Sequence, residues 1–197
     1  INITGNTKTR DKVIRRELAF TEGELYSSDK LKSSYARLNR LCYFEEVNFQ
    51  TAKGPEESLT DITIGVKERP TGMFSVGAGY SGQSGAMLMA QIAQQNLFGR
   101  GQSLSLQTSL GTEQSTIILS FTEPYVFDTP LWMKTEIWKA TQEFDTYDLD
   151  SKGLGLTFGY PLWERVFGSV GYRISVNNVK DVLGTASQTI KDQEGER

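Results

Sequence analysis

From residue 73 onward, hydrophobic residues alternate with small or polar ones over stretches of roughly ten residues, separated by turn-like breaks. Side chains alternate across a β-strand, so each stretch predicts a strand with one apolar face. In the first, Phe74, Val76, Ala78 and Tyr80 oppose Ser75, Gly77 and Gly79. Leu88, Ala90 and Ile92 share a face of the second. Leu104, Leu106, Thr108 and Leu110 alternate with Ser103, Ser105, Gln107 and Ser109 in the third. Ile117, Leu119 and Phe121 mark a fourth, and Met133, Thr135 and Ile137 a fifth, opposite Lys134 and Glu136. Leu154, Leu156, Phe158 and Tyr160 mark the sixth; Val170, Tyr172, Ile174 and Val176 mark the seventh, opposite Ser169, Gly171, Arg173 and Ser175.

Before residue 70 the period changes. Ile1–Ile3 reads as a short strand turned by Gly5-Asn6. A helix is expected over Thr9–Leu18, with Val13, Ile14 and Leu18 on one side. A second is expected from about Ser28, its cap, to Leu41, with Leu31, Tyr35, Leu38 and Leu41 at helical spacing. A strand with Val47 and Phe49, a turn at Gly54-Pro55, and an alternating strand with Ile62, Ile64 and Val66 follow. The expected order is β-α-α-β-β, with Leu18, Leu31, Leu38, Ile62 and Ile64 in the core.

Charge sharpens the division. Residues 1–70 hold 12 Lys/Arg and 11 Asp/Glu, whereas residues 71–122 hold only Arg100 and Glu113 among eight glycines. The boundary is therefore placed at Arg69-Pro70-Thr71-Gly72, giving an α+β domain over 1–70 and an antiparallel all-β meander over 71–197. A net charge of −3 gives no reason to expect nucleic acid as a partner. The chain has no histidine, which removes the commonest general base and most zinc sites. Its single cysteine, Cys42, is expected to be a small buried hydrophobe. No apolar run approaches the ~18 residues of a spanning helix. Ile1 lies in a strand-like run with no signal-peptide pattern, so the chain is expected to be a piece cut from a longer protein.

A soluble sandwich and a membrane barrel share this alternation. Strands of ~9–11 residues fit a tilted crossing of the hydrocarbon core. Phe98, Tyr125, Phe127, Trp132, Tyr160 and Trp163 would gather on one rim, as an interfacial girdle requires. These features favour the barrel.

Three motifs invite other readings. Gly77-x-Gly79-x-x-Gly82 has dinucleotide-binding spacing, but the first acid after it is Glu113, and no βαβ pattern follows. The glycines instead leave room on a strand face, or permit a bulge. Lys134 and Glu136, with Trp138, read as a solvated barrel interior rather than a catalytic pair. Asp145, Asp148 and Asp150 fall in an expected loop near 144–152 and lack the glycine and glutamate of a calcium loop. No catalytic residue, metal site or cofactor is expected, and the chain is not expected to be an enzyme.

Taken in order, Asn6, Ile14-Arg15-Arg16-Glu17-Leu18, Glu22-Gly23, Arg37-Leu38, Tyr43-Phe44-Glu45-Glu46-Val47 and Val66-Lys67-Glu68-Arg69 resemble a POTRA domain, the last before the barrel in the BamA family of outer-membrane assembly factors. Gly77-Ala78-Gly79-Tyr80-Ser81, Gln94-Gln95-Asn96-Leu97-Phe98-Gly99-Arg100-Gly101 and Phe121-Thr122-Glu123-Pro124-Tyr125 continue the likeness across residues 1–177. The stretch 178–197 does not follow it and reads as the start of a polar extracellular loop.

The resemblance implies the opening of a 16-stranded barrel in the Gram-negative outer membrane, with residues 1–70 in the periplasm. The function it implies is insertion of other β-barrel proteins by strand-edge templating. The first barrel strand, Met73, Phe74, Ser75, Val76, Gly77, Ala78, Gly79 and Tyr80, would be the gate that receives unfolded client strands. Arg15, Arg16 and Glu17 read as a solvated charged face; the resemblance raises the alternative that they and Glu22 are contacts for an accessory lipoprotein. The bilayer would be a further partner. A two-partner secretion exporter of a soluble polypeptide is the alternative; a passive pore has no use for a peptide-docking module.

Overall fold

The computed structural model describes residues 1–197 except 55, 57, 58, 83, 84, 164, 165 and 197. The expected turn residue Pro55, and parts of the expected turns near 81–85 and 162–165, lie outside the described residues. The chain divides into two units: Ile1–Thr71 with Gln95–Gln102, and Gly72–Gln94 with Ser103–Arg197.

The first unit runs β1 (Asn2–Thr4), α1 (Asp11–Arg15), α2 (Ser28–Arg40), β2 (Phe44–Lys53) and β3 (Thr60–Glu68). Its sheet has the order β1-β3-β2, with β1 parallel and β2 antiparallel to β3. Alternate residues Ile62, Ile64 and Val66 share one buried cluster with Val13, Ile14 and Leu38, so both helices cover the same sheet face. Leu18 and Leu31, expected in the core, pack against its margin. Ser34 lies fully buried in α2; its hydroxyl donates to the Lys30 carbonyl at 2.7 Å and accepts the Ala19 amide at 2.8 Å. A buried polar group is stable only when paired in this way.

Three local expectations change. Helix α1 is five residues long rather than spanning Thr9–Leu18. The Thr9 amide is already bonded to Glu68 at 2.6 Å, and after Arg16 the amides of Glu17 and Leu18 reach back only three residues. The cap of α2 is Ser27, whose side chain accepts the Lys30 amide; Ser28 is the first helical residue. Cys42 is exposed, not buried: it follows the end of α2 at φ 60, a left-handed position that turns the side chain outward.

The second unit holds a sheet in the order β11-β10-β9-β8-β7-β6-β5-β4. The strands are β4 (Gly72–Ser81), β5 (Gly85–Leu97), β6 (Gln102–Gly111), β7 (Gln114–Glu123), β8 (Trp132–Phe144), β9 (Tyr147–Trp163), β10 (Val166–Lys180) and the two-residue β11 (Gly195–Glu196). The expected seven-strand meander is present, and sequential neighbours are paired. The segment 86–95 lies in β5, not a helix, so the strand–helix geometry of a dinucleotide fingerprint is absent. Pairing of β4 with β5 runs regularly from Gly72↔Gln94 to Ser81↔Gly85, without a bulge at Gly77 or Gly79.

Strands β9 and β10 are 17 and 15 residues long and absorb much of the expected loops. Only Asp145 and Thr146 form the turn after β8; Asp148 and Asp150 are strand residues facing Glu143 and Thr141. Lys180 bonds Asp150 at 2.5 Å, and the Thr141 hydroxyl donates to it at 2.8 Å, so the ladder continues past the apolar stretch. Beyond it, the expected loop start contains α3 (Gln188–Lys191) and the pairing Asn178↔Glu196.

Candidate functional site

The register turns the alternation of single strands into two continuous surfaces. Leu106, Leu119, Ile137, Leu154 and Ile174 are consecutive partners across β6 to β10. Each is between 39 % and 52 % exposed, and other large apolar residues of the sheet, including Phe74, Val76, Val170 and Tyr172, are more exposed still, at 65 % to 78 %. An apolar face this broad on one side of a sheet needs an apolar medium or partner. Tyr125, Phe127, Trp132, Tyr160 and Trp163 fall at one end of the meander, whereas Phe98 belongs to the first unit. No described helix is long and apolar enough to cross a membrane, which leaves strand crossing open.

The next residues in register form a polar row: Ser105, Ser120, Glu136, Gly155 and Arg173. Glu136 sits 2.8 Å from the Lys134 ammonium, accepts the Ser120 hydroxyl at 3.3 Å and lies 4.0 Å from Arg173. The Arg173 guanidinium stacks 4.7 Å from the Trp138 ring centre. A Cβ on Gly153 would sit 2.3 Å from that ring, so glycine makes the stack possible. Lys134 and Glu136 are thus two members of a larger network, in which one carboxylate is shared by two cations. Arg173, on a strand two away, was not legible as its member. Among the described residues no cluster of acids, cysteines or histidines could hold a metal ion.

Strand β4 ends the sheet. One edge pairs with β5, and no described strand pairs with the other. Its apolar side chains are open: Met73 52 %, Phe74 71 %, Val76 65 % and Tyr80 82 % exposed. Ser75, Gly77, Ala78 and Gly79 complete the strand, and nothing lies within 4 Å of where a Cβ on Gly77 would be. The eight residues expected to receive a client lie on this one strand, whose second set of backbone donors and acceptors meets no other described strand.

In the first unit the four expected lipoprotein contacts separate. Arg15 and Glu22 form an exposed ion pair at 2.9 Å, and Arg15 also holds Asp11 at 2.5 Å. The Arg15 hydrogen bond keeps the Glu22 carboxyl below its ordinary pKa. The side chains of Arg16 and Glu17 are only 14 % and 15 % exposed.

Glu68, at the end of β3, organises the approach to α1. Its carboxylate accepts the amides of Thr7, Lys8 and Thr9 at 3.1, 2.9 and 2.6 Å, and the Thr7 hydroxyl at 2.8 Å. Burial alone would raise its pKa, but the Thr9 hydroxyl and amide, the Thr7 hydroxyl and the Lys8 amide outweigh this and bring it to about 2. A depressed carboxyl stabilises the fold above its unfolded pKa and loses that contribution as pH falls through the folded one. The module's urea midpoint should therefore fall between pH about 4.5 and about 2. In Glu68→Gln the neutral-pH midpoint should already be lower and that acid-dependent component should vanish. Parallel pH curves for the two proteins would remove Glu68 from this role.

An α+β module of POTRA topology, joined to an antiparallel meander with one broad apolar face, defines a periplasmic-module β-barrel protein as the class. The comparisons agree. Residues 96–196 match the Omp85 superfamily domain, and residues 1–69 match POTRA, described as a surface antigen variable number repeat. The chain belongs to the Omp85 superfamily.

Outer membrane protein assembly factor BamA of Nitratidesulfovibrio vulgaris is 33% identical over 194 residues, which is 98% of this chain and 24% of that protein. BamA of Neisseria meningitidis serogroup B is 34% identical over 190 residues, 90% of this chain and 24% of the relative. The chain thus spans about a quarter of the length of these curated relatives. The crystal structure of BamA from Haemophilus ducreyi lacking POTRA domains 1-3 superposes with a TM-score of 0.81 at 28% identity, covering 91% of this chain and 35% of that one. CdiB from Acinetobacter baumannii gives 0.61 at 16% identity, covering 92% and 39%, and shares the fold.

Proposed function

We propose that this chain is the membrane-proximal module and opening strands of an outer-membrane assembly factor. Its Omp85 half would lie in the outer membrane and its POTRA module in the periplasm. It would insert other β-barrel proteins there, with no bond made or broken. The observation that carries the reading is the superposition on a BamA structure over 91% of this chain; β4 opens the sheet and pairs, among the described residues, with β5 alone. In hydrocarbon an unpaired N–H or C=O has no water to satisfy it, so such an edge must take a partner. A client strand offers one, and strand addition supplies the bonds without distorting either chain. Similarity to BamA proteins over nearly the whole chain supports the same reading. Unfolded outer-membrane proteins are then the clients, and the exposed Arg15–Glu22 pair is the part of the module open to an accessory lipoprotein.

The test places single cysteines along Met73–Tyr80 of the full-length protein, with Cys42 replaced, and on the last strand of a client. Pairing fixes register, so crosslinks should follow a residue-by-residue ladder. Diffuse crosslinking without a ladder, or none, would remove β4 as the receiving strand.

A further inference from the structure

The turn between β5 and β6 belongs to the module and not to the barrel sheet. Asn96 shows how. It is 8 % exposed and adopts φ 52, a left-handed conformation that asparagine tolerates better than most residues. Its side-chain oxygen accepts the Gly101 amide at 2.8 Å, and its NH2 group donates to the Thr9 hydroxyl at 2.8 Å. Thr9, 3 % exposed, bonds in turn to Glu68.

Other contacts converge on the same turn. The Arg10 amide donates to the Gly99 carbonyl at 2.9 Å, and the Tyr43 hydroxyl to the Gly101 carbonyl at 3.2 Å. Gly99 has φ +68, and a Cβ there would lie 1.8 Å from the Lys8 carbonyl oxygen, so only glycine allows the approach. The Gln95 amide donates to the Thr71 carbonyl at 3.0 Å, tying the last residue before β4 to the first beyond the β4–β5 sheet pairing. A hairpin needs none of this to reverse direction.

We propose that Gln95–Gln102 is a latch of the periplasmic module, with Asn96 as its positioning residue, and that it fixes the base of the β4–β5 hairpin while a client strand adds to β4. The proposal rests on the assembly reading for its purpose, not for its geometry. Both strands of the hairpin are continuous in chain with the module, at Thr71 and at Gln95. An added strand that is partly paired can slip by two residues and keep its faces; a fixed base sets where β4 begins and opposes the slip.

The test uses the full-length protein in lipid. In Asn96→Ala, hydrogen exchange at the Gly101 amide should rise roughly tenfold or more, because a buried donor loses its partner. Amides of β2 and β3 should keep their protection. Thr9→Val, nearly isosteric, should loosen the latch in the same way, whereas Thr9→Ser keeps the hydroxyl and should restore it. In the loosened variants the crosslink ladder along Met73–Tyr80 should spread to neighbouring registers, and client insertion should slow, with the barrel's own folding unchanged. Unchanged exchange at Gly101 overturns the latch itself. Faster exchange with an intact ladder and rate overturns its positioning role. If the unsubstituted protein gives no client crosslinks, the assembly reading fails, and with it the purpose assigned here; the exchange result still judges the latch separately.

Discussion

Leu106→Arg is expected to destabilise the full-length protein in lipid by ~2–4 kcal/mol if the residue lies near the bilayer midplane, and Ser105→Arg by far less. The residues are neighbours in β6 and differ only in face. Leu106 starts the apolar row that continues through Leu119, Ile137, Leu154 and Ile174. A guanidinium there must either enter hydrocarbon or drag water and headgroups toward it. Ser105 starts the other row, which holds Glu136 two strands away and is already polar. An added cation on that side meets polar side chains and water. Reversible unfolding of both variants from lipid vesicles measures the difference. Equal penalties would mean that the row faces no hydrocarbon, and the sheet would then be half of a soluble sandwich.

Much of this arrangement is legible along the chain because it is repeated locally. Ile62, Ile64 and Val66 alternate, β3 alternates, and the same residues are buried. Helix α2 reads equally well, since Leu31, Leu38 and Leu41 follow its period. The failures share a cause in distant contacts. Thr9 looks helical until Glu68, 59 residues on, takes its amide. Asp148 and Asp150 look like loop residues until β10 extends far enough to pair with them. Arg173 looks like an ordinary interior charge; only the register across β8, β9 and β10 brings it over Trp138. Asn96 stands in a glycine-rich run whose composition says turn. That the turn is buried follows from Thr9, Arg10 and Tyr43, which no local pattern connects to it. Strand β4 is the reverse case: its sequence is ordinary, and what the structure adds is its place as the first strand of the sheet, paired with β5 alone among the described residues.

A disulfide tying β4 to the strand that closes the barrel in the full-length protein is expected to stop client insertion, and reduction is expected to restore it. The argument begins with supply. Each free N–H or C=O along Met73–Tyr80 can take one partner. On the proposed assembly reading, those groups are held by the closing strand of the full barrel, surrendered to the client during insertion and recovered afterwards. The exchange is nearly balanced, because one set of strand bonds replaces another, so a covalent tie that prevents separation removes the route rather than merely slowing it. The tied protein should still fold, reside in the membrane and keep its module, since strand pairing within the seam is the resting arrangement. Insertion of a radiolabelled client into proteoliposomes, measured before and after reductant, gives the result directly. A tied protein that inserts clients at the untied rate would place the work away from the β4 edge, in the barrel interior with its Glu136–Arg173–Trp138 network or in the periplasmic module. If the tie stops insertion but reductant does not restore it, the block came from misfolding and the edge would lose this support.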